Sequence, residues 1–490
     1  MTDRLTILKK YPWFLYLLPA FFVLHGFIEN YGFVPVKDSI VLAGMYIGVG
    51  IVLMLLFRLF YKNWLKAATV AFIILSFQFF FGSIQDGLRH LFPGSLLSKY
   101  IFILPASVCL FILVLVVLKR RRTPLHRFTL YLNSLLLLLI VIDCISLVSK
   151  STGKGKNVLD KEFVVCPECN KPDIYVIIAD EYAGQAELND IFHFDDSSFL
   201  NELSSKGFHI IPHSSSNYNY TPYSIASTLD MDYLDLNRMG KQPLLAYTYE
   251  TIGNNRFLQF LMYHGYEFYN YSLSDFKGYP SPATETFLPL KTKLITRQTF
   301  SSRIDKELRY HLITQFKSKR EIHRSVYGNR DNNEKLSQLL FRTAEVKSSR
   351  PKFVLTHLMM PHYPYYYDRN GIPFPFDSII EGNQINRRHY IEYLQYSNKK
   401  LLGLVDQILQ HASKPPIIVL FGDHGFRHFT ETVDSKYYFI NLVAVHLPDS
   451  NYSAFSDSLT NVNLLRTVLN NSFQQHLPYL KDTTIIMDNP

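Results

Sequence analysis

The run Phe421, Gly422, Asp423, His424, Gly425 sets a carboxylate and an imidazole side by side at the end of an apolar, strand-like segment, Ile417 to Leu420. Open α/β sheets bind ligands outside the carboxyl ends of their strands, so a polar pair placed there is well positioned for chemistry. Two other apolar runs end in the same way. Ile174 to Ala179 leads into Asp180 and Glu181, and Phe353 to Leu355 leads through His357 to Pro361, His362, Tyr363 and Pro364. Neighbouring side chains on a regular strand point to opposite faces, and Gly422 and Gly425 are expected to permit a turn that brings Asp423 and His424 to one ion. With Asp180 and a hydroxyl they would make a four-ligand nitrogen and oxygen set suited to zinc or manganese. Taken singly, each is a turn aspartate or one of 17 mostly structural histidines. Their joint placement at strand ends points to a site.

The hydroxyl is expected from Thr221, in the run Asn217 to Ser224 that precedes the helical-looking Ile225 to Met231. Thr221 is a natural N-cap and Pro222 a natural first helical residue. The same position suits a nucleophile, because aligned N–H groups at a helix start favour an anionic phosphoryl group and a bound cation would lower the hydroxyl pKa. The residues alone leave cap and nucleophile equally open. Asn217, Arg427 and His357 are further candidates for contact with substrate. Arginine makes paired contacts with phosphate oxygens, but Arg427 also reads as an ordinary residue after a turn, and His357 is expected to pack beneath the site.

Of the 490 residues 48% are hydrophobic, and the apolar ones crowd into the first 150. A spanning helix needs roughly 20 mostly apolar residues. Tyr11 to Ile28, Ile40 to Phe60, Ala67 to Ser83, Tyr100 to Leu118 and Phe128 to Val148 are therefore expected to be five spans, since soluble helices seldom lack a polar face for so long. No small-residue cleavage site follows the first of them. Lys and Arg are retained on the cytoplasmic side. They fall at Arg4, Lys9 and Lys10, at Lys62 and Lys66, and at Lys119 to Arg122 with Arg127, which puts the N-terminus inside and everything beyond Lys150 outside. The net charge of +9 is thus partly a topology signal, and no nucleic-acid partner is expected.

Cys109 and Cys144 lie in expected spans and act as small apolar residues. Cys166 and Cys169 form a C-x-x-C for which a local disulfide is the first reading and a redox role the second. Asp143, near the outer end of the fifth expected span, is either functional or a solvated interfacial carboxylate.

The expected organisation is a transmembrane domain over 1–150, a linker with the C-x-x-C over 151–171, flexible from Ser151 to Asn157, and an extracytoplasmic domain over 172–490. Strands are expected at Ile174 to Ala179, Phe353 to Leu355, Ile417 to Phe421 and Tyr438 to Val445, with a helix over Arg388 to His411. Continuous apolar runs suggest strands covered on both faces, hence an α/β domain with a mixed, mostly parallel sheet between helices. Tyr233 to Arg350, rich in tyrosines and polar turns, reads as specificity loops or an irregular subdomain.

The series Asp180, Thr221, Asp423, His424, Gly425 resembles the sulfatase-like branch of the alkaline phosphatase superfamily over roughly Pro172 to Asn471. With spans ahead of an external domain, the chain resembles membrane-anchored phosphoglycerol and phosphoethanolamine transferases, including lipoteichoic acid synthases. The resemblance implies an alkaline-phosphatase-like fold, one divalent metal on Asp180, Thr221, Asp423 and His424, a transiently phosphorylated Thr221, and substrate contacts from His362 and His428. It also implies a bacterial cytoplasmic membrane, a phospholipid headgroup donor and a lipid or glycan acceptor. The chain departs from it in offering Asp180 followed by Glu181 where the transferases typically have one glutamate. It also lacks the cysteine or serine, with following proline and arginine, that sulfatases convert to formylglycine, which disfavours sulfate ester hydrolysis. A hydrolase using the same residues, and a non-enzymatic envelope ectodomain, are the other readings. No feature of the sequence sets an oligomeric state.

Overall fold

The computed structural model describes residues 2–152, 159–235, 244–284, 286, 290–380 and 382–487. Most of the flexible linker expected over Ser151 to Asn157 lies outside them. The chain forms two compact units, Met1–Gly155 with Pro289–Glu321, and Lys156–Leu288 with Ile322–Pro490.

The first unit is helical. Val36–Tyr61, Trp64–Leu91, Tyr100–Arg120 and His126–Ser151 are long and apolar enough to cross a membrane. The first expected span, Tyr11 to Ile28, is a shorter apolar helix, Phe14–Glu29, of 16 residues. It starts late because Pro12 interrupts the chain after the helix Thr2–Lys10, and proline has no N–H to continue a helix. Phe14, Leu15 and Leu18 pack with Ala67, Ala71, Leu75, Phe79, Leu132 and Leu136 in one buried cluster. These helices make the chain an integral membrane protein. Asp143 is buried and lies 3.1 Å from Nδ1 of His25, a partner the sequence did not suggest. Cys109 and Cys144 are free thiols on helix surfaces.

The second unit is built on six strands: β1 Ile174–Ala179, β2 Phe208–Ile210, β3 Glu267–Tyr271, β4 Lys352–Leu358, β5 Ile417–Gly422 and β6 Val443–His446. Their order is β2-β6-β5-β1-β4-β3. The pairs β5/β1, β1/β4 and β4/β3 are parallel, and β6 runs antiparallel to both β5 and β2. This is the expected mixed, mostly parallel sheet. Every residue of β1, β4 and β5 is buried, as continuous apolar runs require. Register then places the chemistry: Ala179 pairs with Leu358 on one side and with Gly422 on the other. Asp180, Asp423 and the segment after β4 therefore leave the sheet at the same edge.

Two expectations change. The strand read over Tyr438 to Val445 begins only at Val443, after a short 3-10 turn at Ser435–Tyr438. The stretch from Tyr233 to Arg350 is neither loop nor irregular subdomain throughout. It contains the helices Leu244–Gly253, Arg256–Tyr263 and Gly328–Glu345 and the edge strand β3, and its part Pro289–Glu321 belongs to the helical unit. The sulfurs of Cys166 and Cys169 are joined in a disulfide.

Candidate active site

Asp180 and Asp423 follow directly on β1 and β5, and both are fully buried. Asp423 Oδ1 accepts from the backbone N–H groups of Glu181, at 2.8 Å, and His424, at 3.0 Å. Asp180 Oδ2 accepts from His357 Nε2 at 2.8 Å. The second oxygen of each, Asp180 Oδ1 and Asp423 Oδ2, is buried without a hydrogen-bond partner. Such an orphan is costly in a protein interior and calls for an explanation. His424 Nδ1 lies 2.8 Å from the carbonyl of Gly425 and so carries the ring proton, which leaves the lone pair on Nε2. That nitrogen stands 3.3 Å from Asp423 Oδ2 and 3.2 Å from Thr221 Oγ1.

Asp180, Asp423 and His424 thus bring three donor atoms within 4.8 Å of one another, and Thr221 adds a fourth beside them. The set fits a divalent cation: two unpartnered carboxylate oxygens, one imidazole lone pair and a hydroxyl. Burial raises the pKa of both carboxyls, and for Asp423 the neighbouring Asp180 charge adds to it. Burial lowers His424 well below its usual value and brings His357 down to about 4, so both rings are neutral. A neutral His357 donates one hydrogen bond to Asp180, and this orients the carboxylate.

The glycines act differently from expectation. Neither Gly422 nor Gly425 has a left-handed backbone. Each is needed for space: a Cβ at Gly422 would sit 2.6 Å from the Tyr182 carbonyl, and one at Gly425 would sit 2.6 Å from Glu187 Oε2. The strained residue is Glu181, at φ 59°. Its unusual backbone turns Glu181 away from Asp180, and Tyr390 holds the turn by donating to the Glu181 carbonyl at 2.8 Å and accepting from Ala183 N at 3.0 Å.

Glu181 therefore joins a second group. Its Oε1 is 3.3 Å from His428 Nε2 and its Oε2 is 3.8 Å from His362 Nε2. Burial alone would raise its pKa, but the imidazoles of His428 and His362 outweigh this and hold the carboxyl well below the usual range. Of the two acids left open by sequence, Asp180 is the one grouped with Asp423 and His424. Arg427 lies beside this second group, its Nε 3.8 Å from Glu181 Oε1 and its guanidinium 4.2 Å over the Tyr220 ring.

Thr221 is the first residue of the helix Thr221–Asp230, and the cap position belongs to Tyr220, so the expectation of a threonine N-cap is corrected by one residue. Its hydroxyl is turned to His424 instead. Asn217 is not available to a ligand: its amide donates to Tyr233 Oη and the Thr483 carbonyl, and its oxygen accepts from Val462 N. Glu187 escaped the sequence reading because it sits in the first turn of a helix, where acids are common. It is fully buried and its Oε2 accepts from Phe426 N at 3.2 Å, which supports the loop after His424.

No family model and no curated protein matches the chain. Solved structures do. The C-terminal periplasmic domain of EcEptC from Escherichia coli is 12% identical with a TM-score of 0.39, over 62% of this chain and 82% of that one. The same domain was also solved in complex with Zn. The corresponding domain of phosphoethanolamine transferase EptC from Campylobacter jejuni is 14% identical with a TM-score of 0.37, over 62% and 90%. Phosphonate monoester hydrolase of Agrobacterium radiobacter is 12% identical with a TM-score of 0.39, over 62% and 74%.

Proposed function

We propose that the protein is a metal-dependent transferase that moves a phosphorylated headgroup, of phosphoethanolamine or phosphoglycerol type, from a membrane phospholipid to an envelope lipid or glycan. The observation that carries this reading is the buried Thr221 hydroxyl at a helix start, 3.2 Å from His424 Nε2 and beside two carboxylates with unpartnered oxygens. Asp180, Asp423, His424 and Thr221 would hold the cation, zinc or manganese. Bound there, it would lower the hydroxyl pKa so that Thr221 reacts as the alkoxide, and would balance charge on the phosphoryl oxygens.

Thr221 Oγ1 forms the bond to phosphorus, and the diacylglycerol oxygen leaves with a proton from His428 or His362. Glu181, buried between these rings, lies 3.3 Å from His428 Nε2 and 3.8 Å from His362 Nε2 and so holds both imidazoles beside the reacting phosphoryl group. In the second half-reaction the acceptor hydroxyl gives its proton to the same imidazole, attacks phosphorus, and releases Thr221. Arg427, at the edge of this group, is placed to contact phosphate oxygens. The membrane helices favour a lipid donor that arrives within the bilayer, with the catalytic unit outside the cytoplasmic membrane, as the Lys and Arg pattern implies.

The purified full-length protein, given phospholipid labelled in its headgroup, should transfer label to an acceptor through a labelled protein intermediate. Label appearing only as water-soluble product, whatever acceptor is offered, would instead make it a hydrolase of the same chemistry.

His357 gives a separate check. It touches Asp180 but none of the other three proposed ligands, so His357→Ala should weaken cation binding about 10–100-fold, as loss of a ligand's supporting hydrogen bond does. Titration of the metal-free protein with zinc, followed by calorimetry, measures this. An unchanged affinity would show that Asp180 needs no such orientation.

A further inference from the structure

The residues from Leu290 onward leave one unit and are built into the other. Ile295 is buried among Val23, Phe27, Ile28 and Val34. It fits only because position 26 is glycine, where a Cβ would lie 2.7 Å from Ile295 Cγ2. A second glycine repeats the arrangement: Gly82 N donates to the Gln298 carbonyl at 2.8 Å, and a Cβ at 82 would stand 2.5 Å from that oxygen. Four residues either side of it, Gln78 exchanges hydrogen bonds with Ser301, at 2.6 and 3.2 Å, and Asp86 accepts from Arg303 at 2.6 Å. Phe300 packs at 5.0 Å between centroids on Phe77 and on Phe81.

Gln78, Gly82 and Asp86 share one face of the helix Trp64–Leu91. Gln78 and Asp86 lie about 18 and 30 Å along its axis from Lys66, at about 1.5 Å per residue. Thirty ångströms is about the thickness of the hydrocarbon core, so Asp86 and Arg303 fall at the interface opposite the Lys62 and Lys66 loop. The helix Phe300–Thr314 starts beside Phe77, Gln78 and Phe81 and reaches that level at Arg303. Leu308 and Leu312, one turn apart on this helix, and Phe316, just past its end, are 52%, 37% and 72% exposed, and Lys317, Lys319 and Arg320 beyond it are exposed as well. An exposed apolar stripe flanked by cations is the composition of a helix that lies in a headgroup layer.

We infer that this excursion is an interfacial lipid-binding element whose partner is an anionic phospholipid surface. Leu308, Leu312 and Phe316 enter the acyl boundary, and Lys317, Lys319 and Arg320 meet lipid phosphates. The claim goes beyond the transferase reading and does not use the catalytic residues.

The test uses the full-length protein with Cys109→Ala and Cys144→Ala, carrying a nitroxide at Phe316→Cys or Leu312→Cys, in vesicles of phosphatidylethanolamine and phosphatidylglycerol. Both labels should collide several-fold more with oxygen than with a water-soluble nickel chelate, whereas a label at Glu202→Cys on the other unit should show the opposite. Joint Lys317→Glu, Lys319→Glu and Arg320→Glu substitution should move the Phe316→Cys label toward the aqueous pattern. An aqueous pattern at both sites would overturn the inference. So would shielding from both reagents, which would mean that protein covers the stripe, or no effect of the charge reversal. Collision rates are read without turnover, so a failed transfer assay would leave this result standing.

Discussion

Thr221→Ala is expected to lower turnover by on the order of 10⁴-fold or more while the protein keeps its cation. Loss of a covalent nucleophile has effects of that size in other enzymes that form an ester on a side-chain hydroxyl. The cation stays because Asp180, Asp423 and His424 remain, and their donor atoms lie within 4.8 Å of one another without Thr221. Folding should scarcely change. Thr221 opens a helix without capping it, and alanine is the best of helix formers. Thr221→Ser keeps the hydroxyl and should retain measurable transfer. The measurements are the rate of label transfer, metal content by mass spectrometry and a thermal melt. If the alanine variant still transferred at even a tenth of the normal rate, Thr221 would not be the nucleophile.

The site was legible in sequence where a buried strand ended in polar residues. Asp180 and Asp423 announce themselves because β1 and β5 are continuous apolar runs, and parallel register then brings the two ends together. His362 and His428 were singled out as candidates, but their pairing with Glu181 was not legible. It depends on the left-handed backbone of Glu181, which no residue type signals there. The glycines were noticed for the wrong reason, because close approach of the Tyr182 carbonyl and Glu187 is a property of the packed fold. Glu187 and Tyr390 were missed since each looks ordinary on its own helix. β3, with the sequence EFYNY, carries polar residues and only alternate buried positions, as an edge strand does, so it offered no apolar run to find. The docking of Ile295 and Gln298 on Gly26 and Gly82 joins residues more than 200 positions apart, beyond any local pattern.

Removal of the cation should abolish transfer and also lower the melting temperature of the protein. Binding to the native state alone, at a hundredfold excess over the dissociation constant, stabilises by about 2.7 kcal/mol, which for a unit of this size is a shift of roughly 5 °C. The sign with pH follows from the carboxyls. Burial raises the folded pKa of Asp180 and Asp423, and the Asp180 charge adds to the shift of Asp423. Without the cation, stability is therefore fully present below the ordinary carboxylate range and is lost as pH rises through the raised values. With the cation bound, both carboxylates are ionised and that loss should largely disappear, so the difference between the two melts should widen with pH. Asp423→Asn separates repulsion from ligation. Its Oδ1 can still accept from Glu181 N and His424 N, and its amide nitrogen, where Oδ2 lies 3.3 Å from His424 Nε2, can donate to that lone pair. The metal-free variant should thus melt at or above the metal-free wild type, and added zinc should no longer raise its midpoint. A variant that stayed as responsive to zinc as the wild type would remove Asp423 from the ligand set and leave its buried, unpartnered oxygen in need of another cause.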